Sequence, residues 1–480
     1  MNKRTLLFLG TIVLLSGGLG FFSLTRGHPW WDDFASYLMQ AKSILTWTMG
    51  DFIQHNSFTV LNSSYPPGPV AYPWGFPLIL APVYAVFGPN PLALKMVSLF
   101  FYAFFLISTA LLASTRLPDL EAILLTGVLA FAPALVASND LILSDIPFLA
   151  FSTFSLYLIE RFSRQGIRSG IAVGASIFMA FFLRTNGILL IGPLLISLLV
   201  LAWPNWQAAL RKATQPFFIL VGLIVLQALI FPGGQSSYFS HFNMFSPQHL
   251  LDNVAYYLWL PASTFDQIPG GFVLYPLLAV FTLISLYKHC RRDAALHAYS
   301  LLTVLAFIVW PERQGLRFIY PVLPFLLISA VDGMCFAVDG LKKDKQNFAQ
   351  SVLRGFLGLV LLVCLWFSAL SAYQITVGGR EINGPFDLYS KQMYAFVREK
   401  TAADSVIIFV RPRALRLFTE RDAFMTENCS DLVKGDYVIL HLKMEANGQV
   451  SPEQVNSCNP NLRLDEVFRN KRFVAYKITP

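Results

Sequence analysis

The chain has 480 residues, of which 55% are hydrophobic, 15% aromatic and 13% charged. Soluble domains carry about 25% charged residues, and the mean hydropathy here is +0.55. These values exclude a soluble enzyme, a disordered chain and a nucleic-acid binder, and describe a polytopic α-helical membrane protein. The net charge of +8 does not point to nucleic acid either, because no basic run is long enough to follow a phosphate backbone. Residues 1–373 hold 21 Lys/Arg and 15 Asp/Glu, while residues 374–480 hold 15 and 13. The first part is therefore a membrane domain, and the second has a soluble domain's composition.

A spanning helix needs about 20 apolar residues. Eleven stretches meet or approach that test, near 5–25, 93–114, 119–138, 143–160, 168–183, 186–203, 216–232, 272–288, 294–310, 318–338 and 351–373. The first follows a short basic start without a clear small-residue cleavage site, so it reads as a retained helix. With the N-terminus cytoplasmic, 15 of the 21 basic residues before position 374 fall in or beside inside loops, as the positive-inside rule requires. An odd number of spans then places the C-terminal domain outside. The inside loops are short, so an active site is expected to face outward.

The first outside segment, about 26–92, is rich in Trp, Tyr and Pro and has apolar patches too short to span. Such stretches suit helices lying in the interface plane. It opens His28-Pro-Trp-Trp-Asp32-Asp33-Phe-Ala-Ser-Tyr37-Leu-Met-Gln-Ala41-Lys42. A helix starting here puts Asp33, Tyr37 and Ala41 on one face. Asp32 or Asp33 then either caps the helix or serves as a general base at the membrane surface. Lys95 reads as an interfacial anchor for the second span. Asp145 opens the fourth span, where an ionised group is costly unless it faces protein or water; a helix cap is the alternative, with Pro147 early in the helix. Asp140 reads as a solvated loop acid.

Outside arginines are unexpected under the same charge rule. Arg313 and Arg317 stand where the tenth span begins, and Arg184 stands where the fifth meets the sixth. Guanidinium forks match phosphate or carboxylate; pairing with Glu312 or snorkelling to head groups is the plainer reading for the first two. A second outside segment covers about 233–271. Residues 374–480 read as a small α/β domain with a helix at Leu388–Lys400, buried strands at Ser405–Val410 and Tyr437–His441, and an edge strand at Phe473–Ile478. Of five cysteines, Cys429 and Cys458 share this outside domain, where a disulfide could persist. Acids, phosphate-binding arginines and aromatic walls together suit a substrate with a lipid tail and a phosphate.

Four segments, in order, resemble the lipid-phosphate-sugar-dependent glycosyltransferases of the GT-C fold. The bacterial aminoarabinose transferases and the protein O-mannosyltransferases belong to this group. The segments are Asp33-x3-Tyr37-x3-Ala41-Lys42, Tyr72-Pro-Trp-Gly-Phe-Pro-Leu78, Leu143-Ser-Asp145-Ile-Pro-Phe and Arg317-Phe-Ile-Tyr-Pro-Val-Leu-Pro324. The resemblance covers the membrane region and implies transfer of a sugar from a polyprenyl phosphate to an acceptor on the outer side of the cell membrane. The acceptor would be a glycan, a lipid or a protein. It maps the general base to Asp33 rather than Asp32, a second acid to Asp145, and phosphate or donor binding to Arg317, Arg313, Arg184 and Tyr37. The motif departs from the aminoarabinose members at Tyr72-Pro73-Trp74-Gly75, which is neutral where those carry a Lys-Pro-Pro. The fold class admits a divalent metal, but no Asp-x-Asp stands in the outside loops to hold one, and no metal ligand is assigned. A transporter or flippase would place its substrate site near mid-membrane, often between repeated halves, and neither feature is visible. A non-catalytic lipid-binding partner would tolerate amides at Asp33 and Asp145.

Overall fold

The computed structural model describes residues 3–65, 67–164, 169–233, 246–310, 312–379, 382–443, 448–451, 454–455 and 462–479. The chain forms two compact units: residues 1–24, 95–227 and 239–379, and residues 25–94, 228–238 and 380–480. The first unit is helical, and among the described residues the apolar stretches fall mostly in helices. Six helical stretches among the described residues are long and apolar enough to cross a membrane: Lys3–Phe22, Pro91–Ala113, Thr185–Ala202, Trp206–Ile230, Gly271–His289 and Lys343–Gly378. The others are shorter, broken or carry more charge. The stretch at 119–138 divides into Asp119–Phe131 and Pro133–Ser138, because Pro133 cannot continue the first helix's hydrogen bonding. Asp145–Arg164 holds Glu160, Arg161 and Arg164 in its last turns. The protein is a multi-pass membrane protein.

Small residues let these helices approach closely, as is usual where lipid gives no hydrophobic drive to associate. The helices Leu274–His289 and Leu323–Asp339 pack along their lengths. A Cβ placed on Gly333 would lie 2.0 Å from the carbonyl oxygen of Phe281.

The second unit combines the 25–94 segment with the C-terminal domain. Three helices, Asp33–Thr46, Met49–Asn62 and Gly75–Phe87, occupy the segment. The domain holds a five-stranded sheet of β1 (Val406–Phe409), β2 (Asp422–Phe424), β3 (Tyr437–His441), β4 (Arg463–Arg469) and β5 (Phe473–Thr479). Their order is β2-β1-β3-β5-β4. β1 runs parallel to β2 and β3, with Ile407 opposite Tyr437, and β5 is antiparallel to β3 and β4. The helix Leu388–Lys400 stands where its periodicity puts it. One expectation needs correction: Phe473–Ile478 is not at an edge, because β4 covers it. β4 escaped notice because Arg463, Asp465, Glu466 and Arg469 dilute its apolar alternation, which is how an exposed edge is protected. Ile408, Phe424, Leu432, Val438, Leu440 and Val474 form the domain core, and Phe58 of the Met49–Asn62 helix packs against it. Cys429 is disulfide-bonded, Cys290, Cys335 and Cys364 are free, and Cys458 lies outside the described residues.

The Gly333 contact gives a direct check on the helix packing. Gly333→Val should lower stability by about 1–3 kcal/mol through overpacking. Thermal unfolding of the detergent-solubilised chain would reveal this as a lower midpoint.

Candidate active site

In the second unit, the spacing Asp33, Tyr37, Ala41 is realised on one helix, and its surroundings come from distant sequence. Asp33 is the first residue of the Asp33–Thr46 helix and is partly exposed. The hydroxyl of Tyr72 donates to Asp33 Oδ1 at 2.8 Å. Tyr37 is buried, with its ring 4.9 Å from that of Tyr72 and 5.0 Å from that of Phe76. Gln40, one turn on, clasps the backbone of Tyr72: its Nε2 donates to the Tyr72 carbonyl at 2.9 Å, and its Oε1 accepts from the Tyr72 amide at 3.3 Å. The second motif is thus held against the first at both side chain and backbone. Trp74 stacks on Phe231 at 5.4 Å and donates to the carbonyl of Pro232.

Asp32 differs from its neighbour. It precedes the helix but makes no side-chain cap bond, and it is 6% exposed. The nearest cation is Arg413, whose Nε lies 3.8 Å from Oδ2. Burial pushes the Asp32 carboxyl up to about 6; Arg413 and Arg411 pull against that, and the neighbouring Asp33 adds to it. A capping role for Asp32 is therefore not what the structure contains.

In the first unit, Asp145 begins the Asp145–Arg164 helix and is 6% exposed. Its carboxylate is shared by two guanidiniums. Arg184 NH1 meets Oδ1 at 2.5 Å, while Arg317 reaches Oδ2 through NH2 at 3.0 Å and Nε at 3.2 Å. Arg184 can do so because the helix ends there: its backbone is extended, with φ of −150°, between the helix Ile171–Leu183 and the 3-10 turn Thr185–Leu190. Arg317 lies in the short helix Leu316–Ile319, introduced by Gly315 at φ of +64°. Nearby, the hydroxyls of Ser138 and Tyr320 lie 2.7 Å apart. Two guanidiniums are thus gathered at one carboxylate, and guanidinium forks match phosphate as well as carboxylate.

Arg313 does not join this group's hydrogen bonds. Its Nε donates to Asn253 Oδ1 at 2.8 Å, and its guanidinium lies 4.8 Å from the ring centroid of Tyr256. Two further expectations change. Lys95 is fully buried and pairs with Asp140 at 2.6 Å, so it is not an interfacial anchor and Asp140 is not simply a solvated loop acid.

A second charged cluster, which sequence reasoning passed over, lies at the other ends of these helices. Arg116 bridges Glu160 at 2.6 Å and Asp293 at 2.8 Å, and Arg292 bridges Asp293 at 2.8 Å and Asp332 at 2.6 Å. His289 Nδ1 is 2.6 Å from Asp332, and Arg354 pairs with Glu121 at 2.9 Å. Arg116, Glu121, His289, Arg292 and Asp332 border a cavity of about 500 Å³. Donor atoms of His289, Asp293 and Asp332 lie within 4.8 Å of one another, a spacing that could hold a metal ion. The acids already accept from arginines, however, and two guanidiniums beside the cluster repel a dication. A metal there would have to displace them.

The state of Asp32 is testable without knowing a substrate. A carboxyl raised from 3.8 to about 6 stabilises the fold below its unfolded value and loses that contribution as pH rises through 6. Asp32→Asn imitates the protonated form. The variant should match the parent near pH 4 and exceed it at pH 8, by up to about 3 kcal/mol, in denaturation measured at both pH values.

No family model matches the sequence, and no curated protein matches it. In structure the chain is similar to ArnT from Cupriavidus metallidurans bound to undecaprenyl phosphate, with TM-score 0.60 and 12% identity, covering 99% of this chain and 98% of that one. It is also similar to the Archaeoglobus fulgidus oligosaccharyltransferase in its apo form, with TM-score 0.59 and 11% identity, covering 99% and 74%. A structure of that oligosaccharyltransferase in complex with Zn and sulfate matches at TM-score 0.62 and 11% identity, over 93% and 69%. At these identities the likeness is one of fold, and the fold is the GT-C membrane fold, with a small sheet domain at the C-terminus.

Proposed function

We propose that the protein is a glycosyltransferase that moves a sugar from a polyprenyl-phosphate donor to an acceptor on the outer side of the cell membrane. The observation that carries this reading is that Asp145 gathers Arg184 and Arg317, two guanidiniums of the kind that hold a departing phosphate. The GT-C fold supports it, because one similar structure, ArnT, holds undecaprenyl phosphate and another is an oligosaccharyltransferase. The charge bias of the loops supports an inside N-terminus and an outside C-terminal domain.

Asp33 is the proposed base. It is partly exposed, so an acceptor hydroxyl or amine can reach it, whereas Asp32 is buried. Asp33 takes the acceptor's proton as the acceptor atom bonds to the anomeric carbon. The bond from that carbon to the phosphate oxygen breaks, and its electron pair leaves with the phosphate. Arg317 and Arg184 hold the negative charge that results, and Asp145 orients both guanidiniums. One displacement inverts the anomeric centre, and a neutralised phosphate leaves without a dedicated acid. Tyr72 donates to Asp33 Oδ1 and so orients the carboxylate. Tyr37 supports the Tyr72 ring from beneath, and Arg313 acts through Asn253 and Tyr256 rather than through Asp145. The neutral Tyr72-Pro73-Trp74-Gly75 favours a donor other than aminoarabinose.

Loss of a positioned general base costs about 10²–10⁴ in rate. Mass spectrometry of cell-surface glycolipids and glycoproteins should find one species lacking a single sugar when the gene is absent, and the same loss in an Asp33→Asn strain with normal protein level. Full transfer by that variant would remove Asp33 as the base. Intact glycans in both strains would remove the transferase reading.

A further inference from the structure

Arg413 is a fully buried arginine in the C-terminal domain, in the second residue of the helix Pro412–Thr419. A buried guanidinium is retained only where acceptors surround it, and here nearly all of them come from the 25–94 segment. Arg413 NH1 donates to the Pro67 carbonyl at 2.7 Å, NH2 donates to the Pro69 carbonyl, and Nε donates to Asn56 Oδ1 at 3.1 Å. Asn56 in turn donates from Nδ2 to the Val70 carbonyl.

Two residues of this turn lack an amide donor. Pro67 and Pro69 have no N–H to donate, and buried carbonyls need partners. Donors from outside the turn therefore decide its path: Arg413 and Asn56 hold the carbonyls of residues 67, 69 and 70, and Gln40 holds that of Tyr72. The guanidinium also lies 5.6 Å from the Tyr72 ring centroid. Gly68 allows the close fit. Its φ is +117°, and a Cβ there would meet the Tyr72 hydroxyl oxygen at 2.6 Å and Arg413 NH1 at 3.2 Å.

We infer that Arg413 is a positioning residue for the acid at the start of the first outside segment: it clamps the turn 67–72, and the turn sets Tyr72 against Asp33. The C-terminal domain is then part of the working site through this one side chain, in addition to any role as a cover. The inference rests on Asp33 being the base. Lysine cannot replace the fork, because a single ammonium cannot reach acceptors on both sides of a planar guanidinium in the same geometry.

The test uses the full-length protein in cells lacking their own copy, and reads the rate at which the glycan species named above accumulates, normalised to inserted protein. Tyr72→Phe removes one hydrogen bond to Asp33 and should slow transfer about tenfold. Arg413→Lys, which misplaces the whole turn, should slow it about 100-fold. If Arg413 acts through Tyr72, the double variant is no slower than Arg413→Lys alone. Independent multiplication of the two losses, or a normal rate for Arg413→Lys, overturns the inference.

A second readout needs no substrate. Hydrogen exchange of purified Arg413→Lys should rise at the amides of residues 70–74 while the β3 amides stay protected; unchanged exchange at 70–74 also overturns the inference. Gly68→Ala, which keeps every charge, should give the same local rise. An active Asp33→Asn variant would mark failure of the base assignment, and the exchange data would still judge the clamp.

Discussion

The membrane domain depends on the cost of placing charge where water is scarce, and the Asp145 carboxylate is where that cost is turned to use. Asp145 opens one helix, Arg184 ends another, and Arg317 lies in a single helical turn before a third. Each element would be free to shift alone. Three charge-assisted bonds of 2.5–3.2 Å tie them to one carboxylate, and charged bonds of this kind are about twice as strong as neutral ones. One carboxylate thereby holds two guanidiniums side by side, in forks that match phosphate.

The opposite ends of the helices show what a purely structural solution looks like. There Arg116, Arg164, Arg292 and Arg354 meet Glu121, Glu160, Asp293 and Asp332, four cations against four anions. Each of these four acids has a partner of opposite sign. Breaking such a pair is costly because it strands a buried charge. Several of the basic loop residues that indicate topology are thus tied to buried acids.

Helical spans can be read from sequence because apolar length is a local property; Asp33, Asp145, Arg184 and Arg317 stand out because charge is rare in such surroundings, and Tyr37 by its spacing from Asp33. The pairing of Asp145 with both arginines was not, since the residues stand 39 and 172 positions from it. Arg413 was invisible for the same reason. Its partners lie about 350 positions away, and in the C-terminal domain an arginine is unremarkable by composition. Spacing from Tyr37 and Ala41 sets Asp33 apart from Asp32 in the sequence, but the burial of Asp32 and the Tyr72 bond to Asp33 come from residues far along the chain. β4 was hidden by the charges that suit its edge position, and the Lys95–Asp140 pair by the assumption that each end of a span meets water.

The claim on which the account turns is that Arg184 and Arg317, oriented by Asp145, bind the phosphate of a polyprenyl carrier. Binding of undecaprenyl phosphate to the purified full-length protein, compared with undecaprenol and with the Arg317→Gln and Arg184→Gln variants, tests it most directly. The account predicts binding of the phosphate but not the alcohol, with affinity falling at least about tenfold in each variant, as expected for loss of a charged hydrogen bond. Equal affinity for phosphate and alcohol, or unchanged binding in both variants, would contradict it.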